Sequence, residues 1–122
     1  MKKIDVYPLP DLAPELPFNG VSVAVDVLRA TTTIATALAA GAEKVLPFET
    51  IEETLAAKRA VLAARPGDED RVKLGGERKA VPIDGFDFGN SPDQYVPETI
   101  ADKTLLFTTT NGTRAMFSCR GT

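Results

Sequence analysis

Two short stretches of this chain gather hydroxyls, an amide and a guanidinium at places where an apolar run gives way to a helix. The first is Asp26-Val27-Leu28-Arg29-Ala30-Thr31-Thr32-Thr33, and the second is Thr108-Thr109-Thr110-Asn111-Gly112-Thr113-Arg114. Helix N-termini carry partial positive charge and unpaired N–H groups. A cation beside one costs roughly 0.3–1 kcal/mol at an exposed site, and an anion lodged between the two turns that penalty into attraction. Phosphate suits such a place, because a guanidinium meets it bidentately. Gly112 lets the backbone come near. The plainer reading has Thr31, Thr32 and Asn111 capping helices and Arg29 and Arg114 facing water. The repetition of the pattern favours the anion. Neither stretch is a GxxxxGK[ST] loop, and no GxGxxG is present, so a nucleotide site is not indicated.

Between these stretches lies a charged, glycine-rich segment, Leu74-Gly75-Gly76-Glu77-Arg78-Lys79, followed by Pro82 to Ser91. The stretch from Gly75 to Gly89 reads as a functional loop in which paired glycines hold backbone close to a ligand. Asp26, Glu77 and Asp84 are hard oxygen donors suited to Mg²⁺, which takes one or two protein carboxylates and completes its octahedron with water and substrate oxygens. Asp84-Gly85 taken alone is an ordinary solvated turn. Phe86 and Phe88 alternate and are expected to pack at the edge of the core. Ser91 reads first as a helix cap and second as a phosphate ligand.

Absences narrow the chemistry further. The 122 residues include no His, which removes Ser-His-Asp catalysis and His-ligated metals. Cys119 is the only Cys, so an intramolecular disulfide or a multi-Cys zinc site is impossible. With 14 basic against 17 acidic side chains the net charge is −3, and there is no basic block to bind nucleic acid. No apolar stretch is long enough for a membrane span. Asp5, Pro8, Pro10 and Asp11 interrupt any signal-peptide core, so the chain reads as cytoplasmic.

Positioning these groups requires alternating strands and helices. Ile4–Tyr7 is expected as a short strand, and the Pro-rich run from 8 to 19 as a loop. Val21–Val27 is β-branched and apolar, the pattern of a strand buried on both faces. Helices are expected over 31–40 and 50–64, the latter with Thr50 and Glu53 spaced as a capping box. Strands follow at 44–48, 72–74 and 103–109. Ser91-Pro92-Asp93-Gln94 marks another helix start, and Asn111 opens a last helix. The class is α/β, a three-layer α/β/α sandwich around a mainly parallel or mixed sheet.

Three segments in this order carry a family resemblance: Val25–Ala42, then Leu74–Lys79 with Ile83–Pro92, then Thr108–Ala115. Together they resemble the 2-phosphosulfolactate phosphatase family, over essentially the whole chain. Members of that family run to about twice this length, so residues 1–122 are expected to form the N-terminal part of a single domain. The resemblance implies hydrolysis of (2R)-phospho-3-sulfolactate to 3-sulfolactate and phosphate, dependent on Mg²⁺ and belonging to coenzyme M biosynthesis in methanogens. It carries over to Asp26, Arg29, Glu77, Arg78, Asp84, Asn90, Ser91, Asn111, Gly112, Thr113 and Arg114.

On this reading Asp26, Glu77 and Asp84 hold the metal, and Asp26, Arg29, Glu77 and Arg78 serve catalysis. Asn90, Ser91, Thr110, Asn111, Gly112, Thr113 and Arg114 bind a small phosphorylated acid, Arg114 sharing the phosphoryl oxygens with Arg29. Direct attack by water is favoured over an aspartyl-phosphate on Asp26, since a DxD pair is missing there. The rivals are a non-catalytic anion-binding domain and a phosphotransferase. Self-association into a homo-oligomer is also expected, because apolar surface would be left uncovered.

Overall fold

The computed structural model describes residues 2–14 and 19–120. Four strands, β1 (Lys44–Phe48), β2 (Val72–Arg78), β3 (Val81–Pro82) and β4 (Thr104–Thr108), form one sheet in the order β1-β4-β2-β3. β1 and β2 both run parallel to β4, whereas β3 returns antiparallel to β2. The helices are α1 (Ala30–Ala39), α2 (Ile51–Ala64), α3 (Pro97–Ile100) and α4 (Gly112–Ser118). The class is α/β with a mixed sheet, as the sequence led us to expect.

β4 is the middle of the molecule. All five of its residues are buried, and alternate side chains point to opposite faces. Leu105 and Phe107 pack with Ala30 and Ala37 of α1, Ile100 of α3, and Tyr95. Leu106 faces the other way, with Val72 and Leu74, against Ala57, Val61 and Leu62 of α2. Helices therefore cover both faces of the sheet, giving three layers. Phe88 joins the first cluster, its ring centroid 5.1 Å from that of Tyr95, and Phe86 joins the second.

Local chemistry sets the element ends. Thr50 Oγ1 accepts from the Glu53 N–H at 3.1 Å, and the Glu53 carboxylate accepts from the Thr50 N–H at 3.2 Å, completing the capping box that starts α2. The start of α1 is tied differently. Thr31 Oγ1 donates to the Asp26 carbonyl at 2.8 Å and accepts from the Asp26 N–H at 3.0 Å. Asp26 is thereby fixed against the first turn of the helix.

Three expectations need correction. Gly75 and Gly76 lie inside β2, not in a ligand loop. A Cβ on Gly75 would meet the Tyr95 hydroxyl at 2.3 Å, and one on Gly76 would meet the Thr108 carbonyl oxygen at 1.8 Å. The paired glycines let β2, β4 and Tyr95 close up. The segments 4–7 and 21–27 have no ladder partner among the described residues, so neither is a strand. Val21, Val23, Val25 and Val27 are 71–89% exposed, and Ser22, Ala24 and Asp26 are half-buried. A β-branched run specifies extended backbone, but a strand also needs a neighbour. The helix expected from Ser91 is a short 3₁₀ turn over Pro92–Gln94, in which Ser91 makes no side-chain cap.

Candidate active site

β2 and β4 run parallel, so their carboxyl ends finish on one edge of the sheet, where open α/β folds bind ligands. A cavity of about 530 Å³ opens there. It is lined by Asp26, Leu28 and Arg29 from the loop entering α1, Glu77, Lys79 and Ala80 from the end of β2, Asn90, and Thr110 and Asn111 beyond β4. A smaller hollow of about 270 Å³ sits at the opposite, amino ends of the strands, around Lys44, Val72 and Thr104.

Residues that lie far apart in the sequence thus share one space. The approach of the two anion stretches depends on Gly112. A Cβ there would come within 2.3 Å of the Ala30 Cβ and 2.9 Å of Asp26 Oδ2. Gly112 serves this close packing of α4 on α1 and does not itself face the cavity.

The two carboxylates have unlike surroundings. Glu77 is 9% exposed. Its Oε1 accepts from the Thr110 N–H at 2.6 Å, and its Oε2 accepts from the Ala80 N–H at 2.7 Å and the Thr110 hydroxyl at 3.0 Å. Burial pushes its carboxyl up, but these bonds and the neighbouring Arg78 charge more than offset that, so it is held below the usual carboxylate range. It pins the β2–β3 turn to the segment after β4. In that turn Lys79 and Ala80 take left-handed φ values of 52° and 63°, uncommon for residues with a Cβ. The Asp26 carboxylate has no hydrogen-bond donor among the described residues, which leaves it available to a ligand.

Arg29 donates from Nη1 to Ser91 Oγ at 2.6 Å. Ser91 therefore holds the guanidinium and is not itself part of the cavity lining. Asn90 is fixed through its backbone, whose carbonyl accepts from the buried Thr33 hydroxyl at 3.1 Å.

Of the site residues predicted from sequence, Asp26, Arg29, Glu77, Asn90, Thr110 and Asn111 come together at the cavity. Arg78 does not line it. Its guanidinium is taken up by Thr108 Oγ1 at 2.6 Å, the Thr109 carbonyl at 2.9 Å and the Glu49 carbonyl at 3.3 Å. Asp84 lies exposed in the turn that Gly85 makes at a φ of 80°, outside the lining. Thr113 is fully buried and bonds reciprocally with Thr109. Arg114 pairs with Asp11 at 3.1 Å on the surface. Lys79, Ala80 and Leu28 line the cavity unforeseen. Lys79 directly follows Glu77-Arg78, and that adjacency was the signal available for it.

The oxygen donors fit Mg²⁺ in part. Among the described residues no three acidic side chains gather, so the Asp26–Glu77–Asp84 set is not assembled. Asp26 and Glu77 do share the cavity, and Glu77 Oε1 keeps a lone pair. Asn90 lines the same cavity, and its Oδ1 is buried without a hydrogen-bond partner. Two carboxylates and an unpaired amide oxygen are a donor set that Mg²⁺ accepts.

A three-layer α/β fold with a charged cavity at the strand ends fits several phosphate-handling classes. The match to known proteins narrows it. Residues 7–122 match the 2-phosphosulpholactate phosphatase family, and the chain belongs to that family. It is 52% identical over 98 residues to a Clostridium beijerinckii protein named "Probable 2-phosphosulfolactate phosphatase", covering 80% of this chain and 39% of that one. Proteins of the same name from Clostridium botulinum and Symbiobacterium thermophilum are 44% and 45% identical over 118 residues, covering 96% and 97% of this chain and 47% and 46% of theirs. The chain thus spans less than half the length of these relatives. Among the described residues no helix is long and apolar enough to cross a membrane.

Proposed function

We propose that the full-length protein hydrolyses the phosphate monoester of a small acid, with (2R)-phospho-3-sulfolactate as the substrate and 3-sulfolactate and phosphate as the products. The observation that carries this reading is the convergence of Asp26, Arg29, Glu77 and Asn111 on one cavity. Belonging to the phosphatase family supports it.

Phosphate monoesters resist hydrolysis, so the site must neutralise charge and hold water in line. Arg29, held by Ser91, meets the phosphoryl oxygens. Lys79 at the rim faces the second acidic group of the substrate. Asp26 orients the attacking water and takes its proton. The water oxygen bonds to phosphorus and the ester P–O bond breaks; the leaving oxygen takes a proton from solvent and departs as the hydroxy acid, and Asp26 returns the proton it accepted to solvent. Glu77 stays ionised and keeps Thr110 and Ala80 in place. Mg²⁺, held by Asp26 and Glu77, would supply polarisation of a phosphoryl oxygen and a more acidic water.

The test is release of inorganic phosphate by the full-length protein from a panel of phosphorylated hydroxy acids, with and without Mg²⁺. Release from the sulfonated substrate, lost by about 10²–10⁴-fold in Asp26→Ala, is the expected result. No release from any member of the panel would count against hydrolysis. Formation of a phosphorylated acceptor when an alcohol is added, without release of inorganic phosphate, would point to phosphotransfer.

A further inference from the structure

We infer that Asn90 is the third oxygen ligand of a divalent cation at this cavity, in the place that Asp84 does not reach. The inference rests on the phosphatase reading only for the identity of the site, and it concerns what binds there.

Asn90 is 7% exposed, and its Oδ1 is sealed from solvent with no hydrogen-bond partner. Buried polar atoms are almost always paired, so an orphan marks a place where something else belongs. An amide oxygen is an acceptor, which a phosphate oxygen would repel and a cation would attract. Asn90 lines the same cavity as Asp26 and Glu77, the two carboxylates available to a metal. Thr33 holds its backbone carbonyl, and Arg29 bonds the next side chain. The cationic groups nearby are engaged or apart: Arg29 bonds Ser91, and no bond joins Lys79 to Asn90.

Charge gives a second reason. Two carboxylates neutralise one divalent ion, and a neutral amide adds a ligand without adding charge. A third carboxylate would leave a net negative site facing a phosphoryl dianion. The donor number also fits, because Mg²⁺ keeps several positions for water and substrate.

The experiment uses Mn²⁺ as the probe, followed by electron paramagnetic resonance on the full-length protein, wild type and the variants Asn90→Ala and Asn90→Asp. Inorganic phosphate binding without metal is measured alongside by calorimetry. Asn90→Ala is expected to weaken Mn²⁺ on the order of tenfold or more, with metal-free phosphate binding unchanged. Asn90→Asp keeps an oxygen ligand and is expected to hold Mn²⁺ as tightly as wild type or more so. Unchanged Mn²⁺ affinity in Asn90→Ala overturns the inference. So does a loss of phosphate affinity with Mn²⁺ retained, the outcome if the amide nitrogen faces substrate. Should Asn90→Ala fail to fold, Asn90→Asp decides, and weaker Mn²⁺ binding there is contrary. If wild type binds Mn²⁺ through Asn90 yet releases no phosphate from any ester, the phosphatase reading fails and this one stands.

Discussion

Glu77 and Asp26 are both carboxylates at the cavity, and their surroundings give them different work. Glu77 accepts three hydrogen bonds and is held in its ionised form, whereas Asp26 is open to a ligand. The pH consequence has a definite sign. A carboxyl with a lower pKa folded than unfolded adds stability above its unfolded pKa, near 4.3, and that stability is lost as pH falls through the folded pKa. The metal-free protein should therefore weaken in acid partly through Glu77. Urea unfolding at a series of pH values below about 5 should show a shallower acid loss for Glu77→Gln than for wild type, together with lower stability near neutrality. Parallel curves for the two proteins would mean that Glu77 does not hold this turn.

The six predicted residues that reach the cavity share a legible context, a strand end or a helix entry. Among the six that lie outside its lining, three turn to partners that sequence does not reveal. Arg78 next to Glu77 turns to the end of β4, Arg114 to Asp11, and Thr113 to Thr109.

At the level of elements, what could be read early is what local chemistry decides. The Thr50–Glu53 box, the apolar run of β4 and the hydroxyl-rich entry to α1 all appear where their residues say. What could not be read depends on tertiary neighbours. Gly75-Gly76 looks like a loop in one dimension and is the tightest point of the sheet in three. Gly76→Ala combines a φ of 134° with a Cβ placed 1.8 Å from a backbone oxygen. It should destabilise the fold by about 2–3 kcal/mol or more, since overpacking alone costs about 1–3. Thr50→Ala should cost less, about 1 kcal/mol, through the lost cap. Chemical denaturation of both variants measures this order, and a reversed order would refute the role given to Gly76.

For the whole molecule, the row Val21, Val23, Val25 and Val27 is the largest departure from a closed core. Backbone with no ladder partner among the described residues, carrying exposed valines, offers an edge for another strand. This 122-residue chain is expected to self-associate through that row. Val23→Lys should shift it toward monomer in sedimentation velocity, while leaving the unfolding midpoint nearly unchanged, as for most exposed positions. Association unaffected by the substitution would place the contact elsewhere.

The central claim is that the cavity at the carboxyl ends of β2 and β4 is where phosphate is bound and released. Two arginines separate this claim from its rivals, because Arg29 lines the cavity and Arg114 pairs with Asp11 outside it. The deciding measurement is kcat/KM for phosphate release from 2-phosphosulfolactate by full-length Arg29→Ala and Arg114→Ala. The expected result is a loss of about 10²–10³-fold for Arg29→Ala, as when a preorganised oxyanion donor is removed, and activity within a few-fold of wild type for Arg114→Ala. A severe loss in Arg114→Ala with Arg29→Ala nearly unaffected would contradict the account.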